Sequence, residues 1–243
     1  MLKNFNEIPE SERIIVALDC PAAEALDLAD ILAGEAQWLK VGMTLYYAEG
    51  PSIVKTLKDR GYKVFLDLKF HDIPHQVEGA ARSAAASGAD MITMHTTGGV
   101  PMMQAAQRGA EKGAALVGND TPATLGITVL TSMDAETLRA TGVERELADQ
   151  VLRLAEQARE AGISGVVASP QEAAALREVL GPDAYIVTPG VRPANAELGD
   201  QSRVATPAQA FANGASHIVI GRPITQAADP KAALLAIKAE LNS

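Results

Sequence analysis

Lys63–Asp72 reads KVFLDLKFHD. As a strand, this stretch turns Val64, Leu66 and Leu68 to one face and Phe65, Asp67 and Lys69 to the other. An acid and an ammonium two positions apart then point the same way, and a second acid, Asp72, follows just past the strand end. Charges are costly inside a strand-built core unless paired or hydrated, so three of them closing one run predict a polar site at the mouth of a barrel or sheet. Lysine suits proton transfer there, because it carries a compact charge and a proton that can be given up.

Other strand-like runs also finish in polar residues. Asp19 ends one, Lys40 sits within a second, His95 ends a fourth, and Thr131 and Ser132 follow a fifth. If these ends converge, Asp19, Lys40, Asp67, Lys69 and Asp72 form an alternating charge cluster. A structural ion pair is the plain alternative for any one member, and it weakens when all five fall at one end. The segments TPGVRP (Thr188–Pro193) and IGRP (Ile220–Pro223) place Gly190 with Arg192 and Gly221 with Arg222. Glycine lets backbone N–H groups approach an anion and guanidinium bonds it bidentately, so a phosphate site is expected there. Gln201, in the polar loop between them, is positioned to close over it. His95 reads as a hydrogen-bonded support. Asp67, His71 and Asp72 are conceivable metal ligands, but Lys40 and Lys69 compete for the same carboxylates, so no metal is expected.

Positioning these groups requires strands that end together. Strands are predicted at Ile14–Asp19, Trp38–Gly42, Lys63–Lys69, Met91–His95, Leu125–Leu130, Gly165–Ser169, Tyr185–Thr188 and His217–Gly221, with starts 20 to 40 residues apart. Most intervals leave room for a helix, and eight such units match a (β/α)8 TIM barrel, whose active sites gather at the C-terminal ends of the strands and whose phosphates sit after strands seven and eight. A doubly wound sheet is the alternative, but no glycine-rich first turn follows Asp19. Helices are expected at Pro51–Arg60, stopped by Gly61, and at Glu146–Ala161, stopped by Gly162. Thr131–Glu144 reads as irregular decoration. No composition shift marks a second domain, so residues 1–243 read as one barrel with 1–12 as a leader.

Composition narrows the partners. The chain has 243 residues, 47% of them hydrophobic, a net charge of −9 and 4% aromatics. That size can bury one full core. The acidic balance and scarcity of stacking rings exclude a nucleic-acid surface. Cys20 is the only cysteine, which rules out an intrachain disulfide and fits a reducing compartment. No apolar run reaches membrane-spanning length and the first dozen residues lack a signal-peptide core, so a cytoplasmic location is expected.

DLKFHDIP (Asp67–Pro74), with VALD (Val16–Asp19), LKVG (Leu39–Gly42), VLTS (Val129–Ser132), TPGVRP and IGRP, resembles the orotidine 5′-monophosphate decarboxylase family across nearly the whole barrel. The resemblance implies decarboxylation of orotidine monophosphate to uridine monophosphate, the last step of that nucleotide's synthesis, with no metal or organic cofactor. By position, Lys69 resembles the proton donor to C6 and Asp67 the carboxylate beside the substrate carboxylate. Asp72 matches the acid that reaches the site from the partner of a homodimer, accompanied by Ile73. Lys40 and Asp19 match ribose contacts, Thr131 a substrate hydrogen bond, and Arg192, Gln201, Gly221 and Arg222 positions around the phosphate. His75–Gln76 departs from the Asn–Thr of many members, which bears on any partner-chain contact from position 76. Magnesium-dependent sugar-phosphate relatives share Asp67, Lys69 and Asp72 but carry an acid where this chain has Lys40, and an ammonium there repels a metal.

Overall fold

The computed structural model describes residues 4–193 and 205–241. Eight parallel strands close a barrel in sequence order: β1 (Ile14–Leu18), β2 (Trp38–Gly42), β3 (Lys63–Phe70), β4 (Met91–His95), β5 (Ala123–Ile127), β6 (Gly165–Val167), β7 (Tyr185–Thr188) and β8 (His217–Ile220). β1 pairs with β8, so no edge is left open. Both strand faces are buried, which explains why the strands read as continuous apolar runs. Ile15, Ala17, Trp38, Phe65, Met91, Leu125, Val187 and Val219 fill the lumen. Val64, Leu66 and Leu68 face outward into the larger layer beneath the helices, which is the division of β3 that strict alternation requires.

Four strands end earlier than the residue pattern suggests. Asp19, Ser169 and Gly221 lie beyond β1, β6 and β8, and β5 stops at Ile127. These strand-end residues leave the ladder to face the barrel mouth or to start the next turn. The expected helices occur at Ser52–Asp59 and Leu147–Ala161, the second ended by Gly162 at φ 72°. Thr131–Glu144 is not wholly irregular: Ala135–Ala140 is helical, with the Asp134 carboxylate accepting the Thr137 N–H at 2.8 Å. The segment expected as a leader is also partly built into the body. Phe5 is buried and lies against the rings of Tyr185 and His217 at the start of β7 and β8.

Two helices brace the segment after β3. Pro74–Ala86 packs on Val100–Val117, and Gly109 and Gly113 let them meet closely. A Cβ at Gly109 would sit 2.2 Å from the Glu78 carbonyl oxygen, and one at Gly113 would sit 2.1 Å from that of Arg82. Among the described residues no helix is long and apolar enough to cross a membrane.

Candidate active site

β3 departs from a regular strand at the residue that matters most. Lys69 has φ 54°, the only positive φ of a non-glycine residue among those described. Left-handed backbone costs a side-chain-bearing residue roughly 1–3 kcal/mol and persists where surroundings enforce it. The cause is a bulge: Leu66 pairs with Ile92 and Phe70 with Met94, so Asp67, Leu68 and Lys69 stand opposite Thr93 alone. Within the bulge the Lys69 ammonium stands beside Asp67.

Neighbouring strands complete a line of alternating charge. Asp19 Oδ1 accepts from Lys40 Nζ at 2.9 Å, Lys40 Nζ lies 3.7 Å from Asp67 Oδ2, and Lys69 Nζ donates to Asp67 Oδ2 at 2.8 Å. Lys40 and Asp67 are buried, at 8% and 9% exposure, whereas Asp19 opens to solvent. Burial pushes the Asp67 carboxyl up, but Lys40 and Lys69 together with hydrogen bonds from Lys69 and Thr93 outweigh it and hold the group below its ordinary value. Asp67 is therefore a fixed anion between two ammonium groups. Gly42 belongs to the same arrangement, since a Cβ there would fall 2.9 Å from Asp19 Oδ1 and 3.0 Å from Lys40 Nζ.

These groups line a cavity of about 480 Å³ at the C-terminal mouth of the barrel, within the usual size of a small-molecule site. Thr131, Arg192, Gly221 and Arg222 line it too. Gly190, at φ 78°, makes the turn after β7 that presents Arg192, and Arg222 opens a short helix immediately after β8. The lining thus includes both the alternating charges and two arginines.

Not every expected residue arrives. Asp72 and Ile73 are exposed and absent from the cavity lining, and the Asp72 carboxylate accepts the Ile73 N–H at 2.6 Å. Within one chain the charge cluster therefore has four members rather than five, because the backbone turns away from the mouth after Phe70. Gln201 lies outside the described residues. Sequence reasoning missed Thr225 and Gln226, which also line the cavity; their spacing of three and four from Arg222 is the helical signal for them. Thr93 was missed as well. Cys20 borders the cavity, but burial, with Glu24 and Asp19, pushes its thiol up to about 11, so it stays protonated at neutral pH. The His95 and His71 rings are tilted by 39° with centroids 5.3 Å apart, and burial, His71 and Lys69 push the His95 imidazole down.

A model of the Orotidine 5′-phosphate decarboxylase / HUMPS family matches residues 12–237. The chain belongs to this family. The orotidine 5′-phosphate decarboxylase of Moorella thermoacetica is 52% identical over 242 residues, covering 99% of this chain and 96% of the relative. That of Alkalilimnicola ehrlichii is 52% identical over 231 residues, covering 94% and 96%. The crystal structure of the orotidine 5′-phosphate decarboxylase from Lactobacillus acidophilus superposes with a TM-score of 0.85 at 40% identity, over 96% of this chain and all of that one. The Lys40 ammonium of this family member lies between Asp19 and Asp67.

Proposed function

We propose that this protein decarboxylates orotidine 5′-monophosphate to uridine 5′-monophosphate in pyrimidine nucleotide synthesis, without metal or organic cofactor. The observation that carries this reading is the Asp19–Lys40–Asp67–Lys69 line facing a nucleotide-sized cavity that also holds Arg192 and Arg222.

In this reading the phosphate lies against Arg192, Arg222 and the Gly221 backbone, and Gln201 is a further residue that binds it. Lys40 and Asp19 hold the ribose, and Thr131 bonds the base. The substrate carboxylate lies beside Asp67. The bond from C6 to the carboxylate carbon breaks, CO₂ leaves, and the electron pair stays on C6. No ring position delocalises that pair well, so the Lys69 ammonium stabilises it and then gives its proton to C6, leaving a neutral amine that water reprotonates. The phosphate is remote from the breaking bond, so its binding energy is available for excluding water and holding the pyrimidine in register.

Asp72 and Ile73 belong to the neighbour's site in a cytoplasmic homodimer of single-domain chains. Exposure of both residues in one chain supports this, since a large apolar side chain 63% exposed beside the cavity-forming strand suits an interface. The partner's copy of Asp72 then becomes the second carboxylate flanking Lys69.

Adding orotidine monophosphate to chelator-treated protein should yield uridine monophosphate and CO₂. No turnover by folded protein refutes the assignment, and dependence on added magnesium favours the sugar-phosphate branch of the family. Mixing inactive Lys69→Ala and Asp72→Asn chains tests the shared site. Mixed dimers regain one intact site if Asp72 acts across the interface, and stay inactive if each site is built within one chain.

A further inference from the structure

We infer that Thr93, through its hydroxyl group, is a positioning residue for the decarboxylation, holding both the Lys69 backbone and the Asp67 carboxylate in their reactive arrangement. This rests on the assignment of Asp67 and Lys69 as the reacting pair.

Opposite Asp67, Leu68 and Lys69 the neighbouring strand supplies a single residue, Thr93, so the ordinary ladder cannot satisfy the backbone there. Its hydroxyl takes the ladder's place. Thr93 Oγ1 accepts the Lys69 N–H at 2.9 Å and donates to Asp67 Oδ1 at 3.0 Å. One hydroxyl proton and one lone pair are thus used in opposite directions, by the two residues that flank the developing charge. Thr93 is fully buried and its register on β4, two positions from Met91 in the lumen, turns it inward.

Each bond answers a need visible nearby. The left-handed backbone of Lys69 must be enforced, and the bond to its N–H ties that conformation to β4. On Asp67, Oδ2 is occupied by Lys69 and approached by Lys40, whereas Oδ1 is held by Thr93. Without Thr93 the carboxylate is anchored at one oxygen and can rotate, misaligning the charge beside the scissile bond. Threonine also suits the strand better than serine, because its methyl group restricts χ1 and so aims the hydroxyl.

The test compares Thr93→Val, Thr93→Ala and Thr93→Ser with the unmodified protein, using orotidine monophosphate turnover and equilibrium binding of uridine monophosphate. Losing the hydroxyl should lower kcat by about 10- to 100-fold, the worth of a hydrogen bond to a buried carboxylate. KM and product affinity should move by less than about threefold, because the groups that grip phosphate and ribose are untouched. Thr93→Ser should restore kcat to within about tenfold of the parent. Equal kcat in the Ser and Ala variants overturns the proposal, as does a Val variant with parental kcat. If Val and Ala both fail to fold while Ser folds, the hydroxyl serves stability and the positioning role is refuted. Lys69→Ala, run alongside, separates the two levels. Its inactivity is required by the assignment of the reacting pair, whereas parental activity would remove that assignment whatever Thr93 does.

Discussion

Replacing Asp67 with Asn removes one charge, keeps the shape, and leaves two ammonium groups facing each other. The distances set the scale. With Asp67 Oδ2 at 2.8 Å from Lys69 Nζ and 3.7 Å from Lys40 Nζ, the gross attractions are about 6 and 4.5 kcal/mol at an effective dielectric of roughly 20. The desolvation of buried Asp67 and Lys40 and of half-buried Lys69 offsets much of this, and breaking such a pair costs up to about 3–5 kcal/mol of folding stability. We expect Asp67→Asn to unfold at lower urea concentration near neutral pH. For catalysis, a carboxylate about 4 Å from the substrate carboxylate contributes roughly 4 kcal/mol of repulsion, so its loss should lower kcat about a thousandfold. KM should fall or stay constant, because the removed interaction opposed substrate binding. Steady-state turnover with orotidine monophosphate, paired with urea titrations near neutral pH, gives both readouts. A kcat within tenfold of the parent, or a loss carried entirely by a raised KM, rules out this role for Asp67.

Three further outcomes follow from the geometry. His217 is buried, and burial, with Arg13 and Lys63, pushes its imidazole down to about 3, against an ordinary 6.5; the folded form stays neutral while the unfolded chain takes up a proton, so stability is present above pH ~6.5 and is lost progressively as pH falls toward ~3, by about 2 kcal/mol at pH ~5. His217→Phe should flatten the dependence of the urea midpoint on pH over that window, and an unchanged slope would count against it. Gly109→Ala should cost about 1–3 kcal/mol by overpacking the Pro74–Ala86 and Val100–Val117 helices, since its Cβ falls 2.2 Å from the Glu78 carbonyl oxygen; a thermal midpoint equal to the parent's would contradict the close packing. Arg222→Ala should raise KM for orotidine monophosphate by about 10-fold or more while barely affecting orotidine, which has no phosphate to lose; equal effects on both substrates would remove Arg222 from the phosphate site.

The inward pair Asp67 and Lys69 was legible because strand alternation places residues two apart on one face, whatever the rest of the chain does. Lys40 and Asp19 were legible at the same ends for the same reason. The bulge in β3 was not. It exists because three residues must fit against one in the neighbouring strand, a relation between segments some two dozen positions apart that neither segment encodes alone. Thr93 was invisible for that reason: in sequence it is an ordinary β-branched strand residue, and only pairing across the bulge gives its hydroxyl two charged-site partners. The helix inside Thr131–Glu144 was missed for a local reason, because Asp134 as an N-cap carries little weight until the Thr137 N–H of the following turn is seen to donate to it.

Sequence alone determined the period of the strands, the side of each strand that meets the lumen, and the residue types gathered at one end. Those properties depend on chain geometry and on the cost of burying charge, and both are local. Tertiary structure alone decided which charges touch. It joined Asp19 to Lys40 and Asp67 to Lys69, and it turned Asp72 out of its own cavity. Separations of 2.9 and 3.7 Å between charged groups on neighbouring strands follow from barrel closure and register, and these are set by the packing of the whole chain.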